Sequence, residues 1–136
     1  MEYHDKRKHA PIFIQKTYEM IHTCDPTIAS WTDDGSIFSI KDQKLFAGKV
    51  IPQFFDHTNF NSFSWQLNFY MFCKIQARAI YRDDYKVNAK YISLFNKDFH
   101  RDKPELLKEI KRLTNRSQKR AYQNLRDIIL DSVVPL

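Results

Sequence analysis

The side chains with the most chemistry to offer lie in residues 61 to 75, NSFSWQLNFYMFCKI, where hydroxyl, amide and indole groups recur with a single charge, Lys74. On a helix turning about 100° per residue, Phe63, Leu67, Tyr70 and Met71 fall on one side and form a core stripe. Ser62, Trp65, Asn68 and Phe69 fall on the other, with Gln66 on the flank. An uncharged helix is commonly buried all round. The alternative is that the second face, aromatic and amide-bearing, meets a partner. That chemistry is recognition: amides and hydroxyls exchange hydrogen bonds, and an indole offers a large apolar ring with one donor.

The rest of the chain gives catalysis little to work with. Cys24 and Cys73 lack CxxC or Cys-His spacing, and the histidines at 4, 9, 22, 57 and 100 are scattered without an HExxH pair. Two glycines in the whole chain leave no loop to cradle a phosphate, and neither a nucleophile-base pair nor a carboxylate pair has recognisable spacing. The expectation is therefore no enzyme, no metal and no cofactor, with both thiols reduced and packed.

The elements that must position this stretch can be read around it. PIFIQKTYEMIHTC opens on Pro11, places Ile14, Thr17, Tyr18, Met20 and Ile21 at spacings of three and four, and stops near Asp25-Pro26: a first helix. SWTDDGSIFSI reads as a hairpin, with Trp31 before the Asp33-Asp34-Gly35 turn and Ile37, Phe38 and Ile40 after it. DQKLFAGKVIPQFFDH has Asp42 as N-cap, and its apolar residues Leu45, Phe46, Val50, Ile51, Phe54 and Phe55 predict a second helix that Pro52 distorts. After a turn at HTNFN, Asn61 or Ser62 caps the third helix, giving helix, turn, helix. KIQARAIYRDDYKVNAKYISLF then alternates as two strands around a charged loop at Arg82-Asp83-Asp84. Three helices followed by a hairpin is the order of a winged helix. The expected class is α+β, a three-helix bundle capped by a small antiparallel sheet. Residues 1 to 10 form a basic tail and 11 to 112 the domain. Beyond it, 113 to 136 form an amphipathic helix with Tyr122, Leu125, Ile129 and Val133 on one face, after Leu106, Leu107, Ile110 and Leu113 on the preceding one.

Charge points to the class of partner. The chain of 136 residues carries a net +6, but residues 1 to 57 hold 7 basic and 8 acidic side chains, whereas 58 to 136 hold 15 and 8. A basic second half suits a polyanion. The longest uncharged stretch, Thr58 to Cys73, is interrupted by Asn, Ser and Gln and does not suit a membrane span. A soluble intracellular protein is expected; DKRK (5 to 8) and QKR (118 to 120) are short basic runs whose commoner role is solvated surface and whose alternative is to aid nuclear import.

Trp31, Gly35, Phe38, Asp42-Gln43, Phe46-Ala47, Ile51-Pro52, Phe55, His57, Asn59, Ser62-Phe63, Gln66-Leu67-Asn68, Tyr70, Phe72 and Lys74 fall, without a gap, in the register of a known pattern. In this the chain resembles the heat shock factor type DNA-binding domain. PIFIQKTY resembles the family's opening, and LFNKDFHRDKPELLKEIKR its close, over about residues 11 to 112. The resemblance implies a winged helix-turn-helix that lays its third helix in the major groove and reads inverted GAA-type repeats in double-stranded DNA. It also implies a nuclear transcription factor of the stress response, often a homo-oligomer. By the same resemblance, Ser62, Asn68, Tyr70 and Lys74 match residues near the DNA backbone. Gln66 matches a groove-facing polar residue, and Lys111-Arg112 matches the basic end that meets phosphate. Arg82 and Lys86 add charge in the wing.

The chain departs from the pattern where base reading is done. The family's guanine-reading arginine is Trp65, whose indole has no bidentate fork but can pack on thymine methyls. The lysine before the histidine is Asp56, the glycine before Phe72 is Met71, and the arginine after it is Cys73. The expected function is DNA-binding transcription regulation with altered or weakened sequence preference. The alternative is a protein-interaction module that uses the Trp65/Phe69 surface.

Overall fold

The structure, a computed structural model, describes residues 9 to 113. Helix α1 (Ile12–Thr23) starts after Pro11 and buries Ile14, Thr17, Met20 and Ile21. The Thr17 hydroxyl satisfies itself in that apolar setting by donating to the Phe13 carbonyl at 2.8 Å. Strands β1 (Ala29–Trp31) and β2 (Ile37–Ile40) form the expected hairpin, in register from Ala29 opposite Ile40 to Trp31 opposite Phe38. Gly35 turns at φ +78°, which strains any side chain, and a Cβ there would sit 3.1 Å from both Arg101 Cβ and a His100 ring carbon, so both neighbours would have to give way. Beside it, the Ser36 N–H, the Ser36 hydroxyl and the Thr32 hydroxyl all donate to Asp34, and hold its carboxyl below the usual carboxylate range.

Helix α2 (Gln43–Leu45) is capped as expected, with the Asp42 carboxylate accepting the Leu45 N–H at 3.0 Å. It runs on as a π-helical turn, Phe46–Val50, and a 3-10 turn, Ile51–Gln53. Pro52 is the cause: it brings no N–H, and the widened turn lets Ile51 N–H reach the Phe46 carbonyl while Phe46, Val50 and Ile51 all face inward. Helix α3 (Phe60–Phe69) follows. Its N-cap is Asn59, not Asn61 or Ser62: the Asn59 side chain accepts the Ser62 N–H at 3.0 Å because the first helical turn begins at Phe60. At its far end Phe72 N–H returns to the Leu67 carbonyl and Met71 N–H to Asn68, a paired closure that sets Met71 at φ +70°.

Strands β3 (Cys73–Ile75) and β4 (Ile92–Phe95) complete a four-stranded antiparallel sheet of order β1-β2-β4-β3. The segment between them corrects the expectation of two long strands around a loop. Residues Ala77–Tyr81 form a short helix, α4, followed by a 3-10 turn at Arg82–Asp84. The Tyr81 hydroxyl sits 2.6 Å from Ser39 Oγ, itself 2.7 Å from Ser93 Oγ, and this chain of hydroxyls, buried at its serine end, draws the segment back over the sheet face opposite the core. Pro104–Glu109 is a 3-10 helix that buries Leu107, with Ile110 and Leu113 buried after it and Leu106 half-buried. Apart from Leu113, the amphipathic helix expected over 113 to 136 lies outside the described residues, as do DKRK and QKR.

Aromatic rings make much of the core. Phe13 lies 5.4 Å from Phe55, 5.6 Å from Phe63 and 5.4 Å from Tyr70, tying α1 to α3. A second group, Tyr18, Trp31, Phe38, Phe72 and Phe99, joins α1 to the sheet through edge-on and tilted pairs.

Candidate nucleic-acid interface

Helix α3 is anchored by Phe63 and Leu67, each 1% exposed, so its opposite side is turned outward. Asn61, Ser64, Trp65 and Asn68 form one stripe on that side, and Trp65 is 59% exposed. Together with Lys74 on β3, and with Phe72 and Leu94 at the floor, they line an open concavity of about 390 Å³. The Trp65 ring stands edge-on to Phe69, 5.2 Å between centroids at 83°. The three-residue link from α3 to β3, Tyr70 to Phe72, fixes helix and strand relative to each other. Asn96 adds to this by donating its side-chain N–H to the Tyr70 carbonyl at 2.8 Å.

The structure sorts the expected site residues. Trp65, Asn68 and Lys74 come together in the concavity, with Lys74 exposed at its margin. Ser62 is exposed at the start of α3 but outside the concavity, and Gln66 is half-buried on the flank. Tyr70 is placed in the core, 8% exposed, its ring stacked on Phe13 at an interplanar angle of 9°. Phe69, expected on the open face, is half-buried: the Arg112 guanidinium lies 4.8 Å from its ring centroid and the Leu113 N–H donates to its carbonyl at 2.8 Å. Lys111 and Arg112 are exposed, and Arg112 reaches the end of α3 through that contact. Arg82 and Lys86 are exposed on the wing segment, away from the concavity, with Arg82 at φ +46°. Asn61 and Ser64 belong to the face although neither was among the residues expected there. Their signal is their spacing from Trp65 and Asn68, at i, i+3, i+4 and i+7.

Helices α1 to α3 together with a four-stranded antiparallel sheet, α2 and α3 set as helix-turn-helix with an outward stripe on α3, define a winged-helix domain. Residues 13 to 113 match the family model described as HSF-type DNA-binding, and the chain belongs to that family. Among curated relatives it is 34% identical to heat stress transcription factor A-4c of Arabidopsis thaliana, over 75% of this chain and 26% of the relative. It is 39% identical to heat stress transcription factor A-2a of Oryza sativa subsp. japonica, over 75% and 24%. The chain thus spans about a quarter of the length of these relatives. Among solved structures it is similar to Chaetomium thermophilum Skn7 with SSRE DNA, at TM-score 0.65 and 30% identity over 75% of this chain and 99% of that one. A heat shock transcription factor/DNA complex matches at TM-score 0.51 and 26% identity, over 68% and 98%.

Among the described residues no group of His, Cys, Asp and Glu is placed to hold a metal ion, and no helix is long and apolar enough to cross a membrane.

Proposed function

We propose that the chain binds double-stranded DNA with α3 in the major groove and acts as a transcription regulator in the nucleus. The observation that carries this reading is the outward Asn61-Ser64-Trp65-Asn68 stripe, exposed but for the half-buried Asn68 and ending at Lys74, in a family whose similar solved members include DNA complexes. The stripe supplies hydrogen-bonding groups and an apolar ring to base edges, while Lys74, Lys111 and Arg112 border α3 with positive charge for phosphate. Arg82 and Lys86 extend that charge to the wing. Trp65 stands where the family pattern has its guanine-reading arginine, so preference for inverted GAA-type repeats is weakened. Asp56, exposed in the turn before α3, opposes phosphate where the pattern has lysine.

Titration of a labelled duplex over a range of salt tests this: log affinity should fall linearly with log salt. Trp65→Arg combined with Asp56→Lys should raise preference for inverted GAA repeats over scrambled duplex by about 1–3 kcal/mol. No gain in the double variant would mean that α3 does not dock as proposed. A second reading, an aromatic protein-binding surface, draws on the exposure of Trp65 beside Phe69. It requires a partner whose affinity changes little with salt.

A further inference from the structure

Given the docking mode just proposed, the base preference of α3 depends on the side chains that face the concavity. The helix sequence from Phe60 to Phe69, FNSFSWQLNF, contains no charged residue. Guanine presents two acceptors, O6 and N7, in the major groove, and is read best by a forked cation. The cation lining the concavity, Lys74, belongs to β3 at its margin rather than to the helix stripe. What the stripe offers instead is two side-chain amides, Asn61 and Asn68, one hydroxyl, Ser64, and one indole, Trp65.

We infer that this stripe selects A·T base pairs at the centre of the site. An asparagine amide accepts from adenine N6–H with its oxygen and donates to N7 with its nitrogen, a pair of bonds that guanine cannot return because its O6 is an acceptor. The C5 methyl of thymine is the apolar feature of the major groove, and Trp65 is the large apolar side chain exposed on the stripe. Its edge-on contact with Phe69 restrains the ring before DNA arrives, which lowers the entropy lost on packing against a methyl. The Ser64 hydroxyl both donates and accepts, so it tolerates either pair. Two residue types at three positions thus point to the same bases, Asn61 and Asn68 to adenine and Trp65 to its thymine partner or neighbour.

The test uses the full chain and three duplex polymers: poly(dA-dT), poly(dA-dU), which lacks only the thymine methyls, and poly(dG-dC). Fluorescence anisotropy should give poly(dG-dC) binding about 5- to 100-fold weaker than poly(dA-dT). Poly(dA-dU) should fall between them. Trp65→Ala should abolish the difference between thymine and uracil while keeping a preference for A·T, and Asn61→Ala with Asn68→Ala should remove most of that remainder. Equal, salt-dependent affinity for poly(dA-dT) and poly(dG-dC) overturns the selectivity but leaves the docking mode standing. A thymine-uracil difference that survives Trp65→Ala overturns the role given to the indole. Failure to bind any of the three at low salt overturns the docking mode, and this inference with it.

Discussion

Phe63 and Trp65 are two positions apart on one helix and sit in different solvents, one 1% exposed and the other 59%. Removing Phe63 leaves a cavity among Phe13, Phe46, Phe55 and Phe60, whose rings all lie within 6.3 Å of its own. Phe63→Ala should therefore cost about 3–5 kcal/mol. Trp65→Ala should change stability by less than about 0.5 kcal/mol, as surface substitutions do. Chemical denaturation of both variants checks the contrast, and a large loss from Trp65→Ala would mean that the indole holds the fold together. The division between these two residues was legible because helical period alone assigns it. Helical period also put Tyr70 in the core, where Phe13 stacks on it, against the place near the DNA backbone that the resemblance implied. Phe69 was not legible, since Arg112 and Leu113, remote in sequence, close over it. Asn61 and Ser64 share the helical spacing of Trp65 and Asn68, but that Lys74 of β3 stands at the margin of their face is something no pattern within the helix reports.

At the scale of elements, the end of α3 carries a conformational cost that its sequence could avoid. Met71 occupies the left-handed region at φ +70°, where an L side chain costs roughly 1–2 kcal/mol and glycine costs little. The family pattern has glycine there. Met71→Gly should stabilise the domain by about 0.5–1 kcal/mol, the strain relief being partly offset by glycine's greater freedom when unfolded. Met71→Val should destabilise it, because a branched Cβ fits that region worse. Melting curves of the two variants should move in opposite directions, and movement the same way would show that side-chain packing rather than backbone conformation sets the effect. The hairpin at Gly35, the Asp42 cap and the Pro52 distortion were all legible, since turns, caps and prolines act on their own neighbours. Helix α4 was not: KIQARAIYRDDYKVNAKYISLF gave an alternating pattern rich in Ile, Tyr and Val, yet the Tyr81 hydroxyl is held by Ser39, itself bonded to Ser93, on strands elsewhere in the chain.

Across the whole molecule, Arg82 and Lys86 on the wing segment and Lys111 near the end of α3 are all exposed, so their charge faces solvent, where the proposed duplex would meet it. Converting all three to glutamine should weaken binding to every duplex alike and flatten the salt slope by about 0.9 for each phosphate no longer neutralised. Unchanged affinity would leave them as solvated surface. The basic bias of the second half was legible by counting; which of its cations stand beside α3 depended on Arg112 folding back onto Phe69, which counting does not show. The central strand pair carries a consequence for how the molecule assembles. Ser39 and Ser93 meet across 54 residues of chain, and the whole of α3 lies within the span they close. Closing so long a span forfeits chain entropy before any attraction is gained. The helix therefore acquires the Leu94 wall of its outer concavity only when the middle of the sheet zips. Its inner amide protons should accordingly exchange with solvent through the same global opening as those of β2 and β4, in one kinetic class rather than by independent fraying.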